Sequence, residues 1–163
     1  MTDVDVLVAG AGPIGLTAAL ELTRLGVRCR IVDPQTDPPQ YAKAVGVQPR
    51  TLEIFEGMGL LHRFLDAAIP LSGQLIYVNG VRVGQLDMSV PADVPFGFVG
   101  IPQYATERIL AEELAELGVQ VERGVRLETF QQDADGVTAE LSGPSQVRAR
   151  YLIGADGAHS TVR

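Results

Sequence analysis

Six residues near the amino end, Gly10-Ala11-Gly12-Pro13-Ile14-Gly15, have the composition and spacing of a phosphate-binding turn. In G-x-G-x-x-G each glycine has its own reason. The first permits a tight reversal from strand to helix, the second lets backbone approach a pyrophosphate, and the third lets helix and strand pack closely. A diphosphate held there meets free N–H groups and roughly half a positive charge of helix dipole. Asp33 stands 18 residues beyond the last glycine. A carboxylate at that distance accepts hydrogen bonds from a ribose and disfavours a 2′-phosphate. The ligand class these residues specify is an adenine dinucleotide without a 2′-phosphate, FAD or NAD. Gly10, Gly12, Pro13, Ile14, Gly15 and Asp33 are its candidate contacts. A glycine turn alone is a weak signal, and the plain alternative is a turn with no ligand. The elements around it decide.

Residues 5–9, Asp-Val-Leu-Val-Ala, are an apolar, β-branched run ending at Gly10 and read as a buried parallel strand. Residues 13–25 follow as a helix, with Leu16, Leu20, Leu22 and Leu25 mostly on one side, Pro13 in the first turn and Gly26 after the last. Residues 29–33 supply the second strand of a βαβ unit with a right-handed crossover. Residues 34–49 hold Pro34, Pro38, Pro39 and Pro49 without a period and read as a long, functional loop. Short helices are expected over 51–58 and 60–68, and strands over 74–78 and 81–87 flank Asn79-Gly80, a hairpin signal. A helix over 106–117 carries Ile109, Leu110, Leu114 and Leu117 as its apolar stripe. A short strand at 119–122 precedes strands at 125–131, 137–141 and 147–153, which read as an antiparallel meander with turns at Asp135-Gly136 and 142–145.

Composition narrows the partners. The 163 residues include 20 acidic and 13 basic side chains, a net charge of −7, with 46% hydrophobic residues. Such a chain buries roughly 70% of its unfolded surface, enough for a core. Lys43 is the single lysine and the arginines form no stripe, which argues against nucleic acid. No apolar run reaches the ~20 residues that span a membrane, and Met1-Thr-Asp-Val-Asp lacks the basic region of a signal peptide. Cys29 is the only cysteine, so no disulfide within the chain and no cysteine metal site is possible; inside a strand it reads as a buried, inert thiol. A reducing cytoplasm fits these features, and no metal is expected.

Residues 151–163 run from an apolar strand into Asp156-Gly157, with Ser160 placed to cap whatever follows. A simple NAD dehydrogenase has no need of a second Asp-Gly loop after an antiparallel meander. With these residues in view the chain, from about residue 3 to residue 163, resembles the N-terminal portion of the class A (single-component) FAD-dependent aromatic hydroxylases. Four features carry the resemblance, in order: the turn at 10–15; Arg50-Thr-Leu-Glu-Ile-Phe with Gly59-Leu60; Ile101-Pro-Gln103 before Thr106-Glu107; and Gly154-Ala-Asp156-Gly157. The Arg-Thr-Leu-Glu and Gly-Ala-Asp-Gly forms are most similar to the phenol and aromatic polyketide hydroxylase branch.

The resemblance implies an α/β, Rossmann-like FAD-binding fold: a parallel sheet with helices, a three-stranded antiparallel meander and a β-hairpin insertion. Residues 1–70 and 101–163 would form the FAD-binding domain, and 71–100 an insertion belonging to a substrate-domain sheet. Asp33 would hold the adenosine ribose, Arg50 the pyrophosphate side, and Gln103 the ribityl or flavin region. Asp156 and Gly157 would lie near the pyrophosphate, and backbone near Arg123 and Val125 would face the adenine. His62 and His159 receive no role, and no catalytic residue is assigned. The implied chemistry is reduction of FAD by NADH or NADPH, uptake of O2 as a C4a-hydroperoxide, and hydroxylation of a small aromatic, phenolic or polyketide substrate. Flavin epoxidases share the fold.

Relatives of this class are longer and carry a third flavin motif that is absent here. The chain therefore reads as a fragment, a truncated piece or a short relative, with an exposed strand edge beside residues 151–153 and weak FAD binding and no turnover by itself. Two other readings stand beside the oxygenase: a non-catalytic dinucleotide-binding module, and an NAD-dependent dehydrogenase domain. Substrate, electron donor and oligomeric state are not written in these motifs.

Overall fold

A computed structural model describes residues 3–38, 40, 42–143 and 145–163. Met1, Thr2, Pro39 and Tyr41 lie outside the described residues, as does Pro144 in the expected 142–145 turn. In chain order the elements are β1 (Val4–Ala9), α1 (Pro13–Arg24), β2 (Cys29–Asp33), β3 (Gly46–Val47), α2 (Pro49–Gly57), α3 (Leu61–Ala67), β4 (Ile69–Leu71), β5 (Gly73–Val78), β6 (Val81–Asp87), β7 (Phe98–Gly100), α4 (Gln103–Glu116), β8 (Val121–Arg123), β9 (Leu127–Asp133), β10 (Gly136–Leu141) and β11 (Ser145–Gly154). A single 3₁₀ turn, Gly157–His159, follows. The chain divides into two compact units, residues 1–40 with 107–163, and residues 41–106, the division falling within α4.

The first unit is one six-stranded sheet in the order β8-β2-β1-β11-β10-β9. β8, β2, β1 and β11 run parallel, while β11, β10 and β9 form the expected antiparallel meander. β1 reads as a continuous apolar run because both its faces are covered: Val6, Leu7, Val8 and Ala9 are all buried. Leu7 and Ala9 join Val32, Leu127, Ala139, Leu141, Val147 and Ala149 in one core. α1 packs on β1 and β2 through Gly15, Leu16, Ala19 and Leu20. Leu16 and Leu20 of the expected stripe thus lie on this face, whereas Leu22 is half-buried and Leu25 is 78% exposed. In α4, Ile109, Leu110 and Leu114 are buried, whereas Leu117 lies past its end and is exposed. Cys29 is half-buried rather than buried, and desolvation pushes its thiol up to about 11.

β11 changes partners along its length. β10 pairs with it as far as Ala149, and β1 takes over from Ala149 to Gly154. Residues 151–153 thus have a paired side toward β1 and no β10 partner on the other. A shallow groove of about 610 Å³ opens there, lined by Gly136, Arg150, Tyr151 and Val162 among others.

The second unit holds α2 and α3, whose Phe55 and Phe64 rings stack with centroids 3.6 Å apart. It also holds a small sheet ordered β3-β7-β4 and the β5–β6 hairpin. Asn79 (φ 50°) and Gly80 (φ 78°) occupy the left-handed region that a tight hairpin turn demands. Three expectations need correction here. The 34–49 loop contains β3, and its last residue, Pro49, is the first of α2 rather than loop. α4 begins three residues earlier than expected, at Gln103. Strands β4 and β7 were not expected: they are three residues each, too short for a period, and Pro70 in β4 is tolerated because β4 is an edge. In the first unit, β8 and β9 start two residues later than expected, which leaves Val125 in the connection between them.

Candidate functional site

Each glycine of the amino-terminal turn does a separate job. Gly10 has φ +101°, and a Cβ there would lie 2.3 Å from the Ala155 carbonyl oxygen. A Cβ on Gly15 would lie 1.9 Å from the Gly10 carbonyl oxygen, so this glycine seats α1 against its own turn. Around Gly12, by contrast, nothing lies within 4 Å of a would-be Cβ. Gly12 is the N-cap of α1, Pro13 occupies the first turn, and no side chain caps the helix. First-turn N–H groups, which have no intrahelical acceptor, therefore meet an approach free of side chain. Ile14 follows, 74% exposed.

The second loop is bolted to the first. Ala9 is paired with Gly154 at the carboxyl ends of β1 and β11, and the Ala155 N–H donates to the Ala9 carbonyl at 2.7 Å. The chain then turns through Asp156 and Gly157, the latter at φ +78°. The Asp156 carboxylate is used inside its own loop. Ser160 Oγ donates to its Oδ1 at 2.6 Å and the Thr161 N–H donates to its Oδ2 at 2.7 Å, with Val162 N–H at 3.4 Å. Burial works against ionisation of this carboxyl, but the Ser160 hydroxyl and the Thr161 and Val162 amides outweigh it and hold it below the usual range. Ser160 Oγ in turn accepts from the Arg163 N–H at 3.1 Å, the contact an N-cap serine makes three residues on.

Asp33 ends β2 and is 9% exposed. Its Oδ2 accepts from the Ala11 N–H at 2.7 Å and its Oδ1 from the Gln35 N–H at 2.9 Å, while Arg123 approaches Oδ1 at 3.3 Å. The carboxylate expected at a ribose also braces the glycine turn. Its carbonyl accepts from the Val125 N–H at 3.0 Å, which fixes the start of the connection after β8.

Between these loops lies a cavity of about 260 Å³, whose lining includes Gly10, Pro34, Val125, Arg126, Asp156 and His159. It opens at the carboxyl ends of parallel strands, where ligands of α/β sheets bind. The structure thus brings Gly10, Gly12, Pro13, Ile14, Gly15, Asp33, Val125, Asp156 and Gly157 into one constellation. Arg50 and Gln103 belong to the second unit. Arg50 is on the first turn of α2, largely exposed and paired with Glu53, and the Gln103 N–H donates to the Ala44 carbonyl at 3.0 Å. His159, given no role from the sequence, lies on the 3₁₀ turn at the rim of this cavity, and Arg126 was not singled out; an exposed side chain in a connection carries no pattern, and the meander alone brings Arg126 here.

The donor set fits a dinucleotide: an uncapped helix start, a glycine with open space before it, a carboxylate at the end of the second strand, and an apolar wall from Val32 and Val125. Comparison with known proteins agrees. Over 162 residues the chain is 42% identical to rifampicin monooxygenase of Rhodococcus hoagii, covering 98% of this chain and 33% of that protein. It is 42% identical over 165 residues to 6-methylpretetramide 4-monooxygenase of Streptomyces rimosus, covering 98% and 29%. It superposes on the crystal structure of the flavin-dependent monooxygenase PieE, solved in complex with FAD and substrate, with a TM-score of 0.89 at 32% identity, covering 99% of this chain and 32% of that one. The chain spans about a third of the length of these curated relatives. The FAD binding domain family matches residues 3–163, and the chain belongs to that family.

Proposed function

We propose that this chain is the FAD-binding portion of a flavoprotein monooxygenase that hydroxylates an aromatic, phenolic or polyketide substrate with O2, using NADH or NADPH as electron donor. The observation that carries the reading is the pairing of an open Gly12 turn with the Gly154–Gly157 loop, both at the same end of β1 and β11. When bound, the flavin supplies the redox chemistry. The chain's own residues bind and orient it. The uncapped N–H groups after Gly12 meet the diphosphate, Asp33 takes a ribose hydroxyl, backbone at Val125 faces the adenine, and Asp156 fixes the shape of its own loop near the diphosphate. Arg50 contributes charge on the pyrophosphate side and Gln103 an amide toward the ribityl chain. Residues 1–70 and 101–163 form the cofactor domain, and 71–100 belong to the sheet that faces substrate. Support for the latter is the hairpin itself: Leu75, Ile76, Tyr77, Val78, Val81, Val83 and Leu86 are all exposed, more apolar surface than an isolated hairpin carries in water. We place the protein in the cytoplasm, where its half-buried lone cysteine stays reduced; no described helix is long and apolar enough to cross a membrane.

The test is NADH and NADPH oxidation by the complete protein with a panel of phenols and aromatic polyketides. The expected result is substrate-stimulated oxidation with one oxygen atom entering the product. Oxidation indifferent to every aromatic, with no oxygenated product, contradicts the oxygenase reading.

A further inference from the structure

Asp33 is held by three groups of the chain. Ala11 N–H and Gln35 N–H donate hydrogen bonds to its two oxygens, and Arg123 forms an ion pair with Oδ1 at 3.3 Å. Of about four lone-pair sites on a carboxylate, two remain for a ligand, so the orientation of the carboxylate decides what it can still take. Two of the three partners are backbone amides set by the glycine turn and by the residues after β2. The third, Arg123, is a side chain on the neighbouring parallel strand, in register with Asp33. Both side chains are largely covered, 18% exposed for Arg123 and 13% for Asp33. A pair this sheltered from water is screened less than a surface pair.

The charges matter as much as the geometry. Together Asp33 and Arg123 are neutral. Arg123 without its partner would be a fork of guanidinium donors of the kind that binds a phosphate. Asp33 without Arg123 would keep a negative charge close to any bound nucleotide and lose the side chain that fixes Oδ1.

We propose that Arg123 is a positioning residue for adenosine recognition: it orients Asp33 to accept an unphosphorylated ribose, and the Asp33–Arg123 pair as a unit sets the discrimination against a 2′-phosphate. The inference rests on the dinucleotide-site reading above and adds to it a side chain that acts through Asp33. Asp33 selects ribose only while Arg123 holds it, and Arg123 is kept from capturing phosphate only while Asp33 neutralises it.

Apo-protein prepared from the complete enzyme tests this by displacement of FAD fluorescence with two probes, 5′-ADP and adenosine 2′,5′-bisphosphate. The wild type is expected to prefer 5′-ADP by tenfold or more. Arg123→Met weakens FAD and 5′-ADP by about tenfold, and Arg123→Lys recovers part of the loss, which separates orientation from mere packing. Asp33→Asn moves the preference at least tenfold toward the bisphosphate, and the double variant Asp33→Asn/Arg123→Met loses that gain. Thermal melting identifies a variant that fails to fold, and Arg123→Lys then still reads the preference. An FAD affinity and a probe preference in Arg123→Met and Arg123→Lys within twofold of wild type overturn the proposal. So do Asp33 and Arg123 effects that simply add. A wild type that binds neither FAD nor 5′-ADP fails the dinucleotide reading itself, a result distinguishable from failure of the Arg123 role.

Discussion

The Ala155 amide donates to the Ala9 carbonyl at 2.7 Å, one residue past the last paired position of β1 and β11. That bond continues the ladder into the two loops and sets the Asp156–Gly157 turn against the glycine turn. A Cβ on Gly10 would strike the carbonyl oxygen of that same residue, Ala155. The site is therefore two loops in contact, with the Ala155 backbone leaving no room for a side chain at Gly10, and its sensitivity to substitution follows from that.

Gly15→Ala and Gly12→Ala should behave oppositely. A methyl at Gly15 meets the Gly10 carbonyl oxygen at 1.9 Å, backbone that cannot yield cheaply. The expected cost is about 3 kcal/mol or more, seen as a drop in Tm. Gly12 has open space and ordinary dihedrals (φ −74°, ψ −178°), so alanine there leaves Tm within about 2 °C. It nevertheless intrudes where a diphosphate approaches, and FAD affinity should fall tenfold or more. Equal loss of stability in the two variants would contradict the assignment.

Asp156→Ala removes the acceptor of Ser160 Oγ and of the Thr161 amide. Because the loop is partly exposed, water replaces much of what is lost, and a cost of about 1 kcal/mol is expected in urea denaturation. FAD binding should weaken further than stability does, since the loop that drifts lines the cavity.

The acid side of the stability profile should report Asp133. The Arg148 guanidinium beside it, helped by the Asp135 amide, lowers its carboxyl to about 2 from the ordinary 3.8. A depressed folded value means that the native state gains from ionisation above about 3.8 and loses that gain as pH falls toward 2. The stability difference between wild type and Asp133→Asn should be largest at pH 5 and shrink by pH 3, and salt should reduce it because the pair is exposed. A difference that grows on acidification would reverse the assignment.

Cys29 should be nearly inert. With its thiol raised to about 11, the thiolate fraction at pH 7.5 is on the order of 10⁻³ to 10⁻⁴. Iodoacetamide should leave the folded protein unmodified over hours and label it quickly in denaturant.

Much of this site was legible because its chemistry is written in short-range spacing. The glycine turn, β2 ending at Asp33, and the Asn79-Gly80 turn all follow from local backbone demands that few residues meet. Leu16, Leu20, Leu22 and Leu25 were read as one side of α1; Leu16 and Leu20 do build its buried face, but Gly15 and Ala19 complete it in place of Leu22 and Leu25, because small residues that admit close packing are invisible to a hydrophobic count. β4 and β7 are three residues each and owe their form to pairing with one another, which no local pattern records. The second role of Asp33 as a brace for Ala11, and its pairing with Arg123, depend on which strands are neighbours. That order, β8-β2-β1-β11, is a property of the folded sheet.

The most direct measurement is the identity and stoichiometry of the nucleotide carried by the complete protein, released by denaturation and separated chromatographically, with titration of the apo-protein alongside. Stoichiometric FAD is expected, recovered on titration and displaced poorly by NAD. Flavin-free protein that takes up NAD in preference to FAD, or that binds neither, would contradict it.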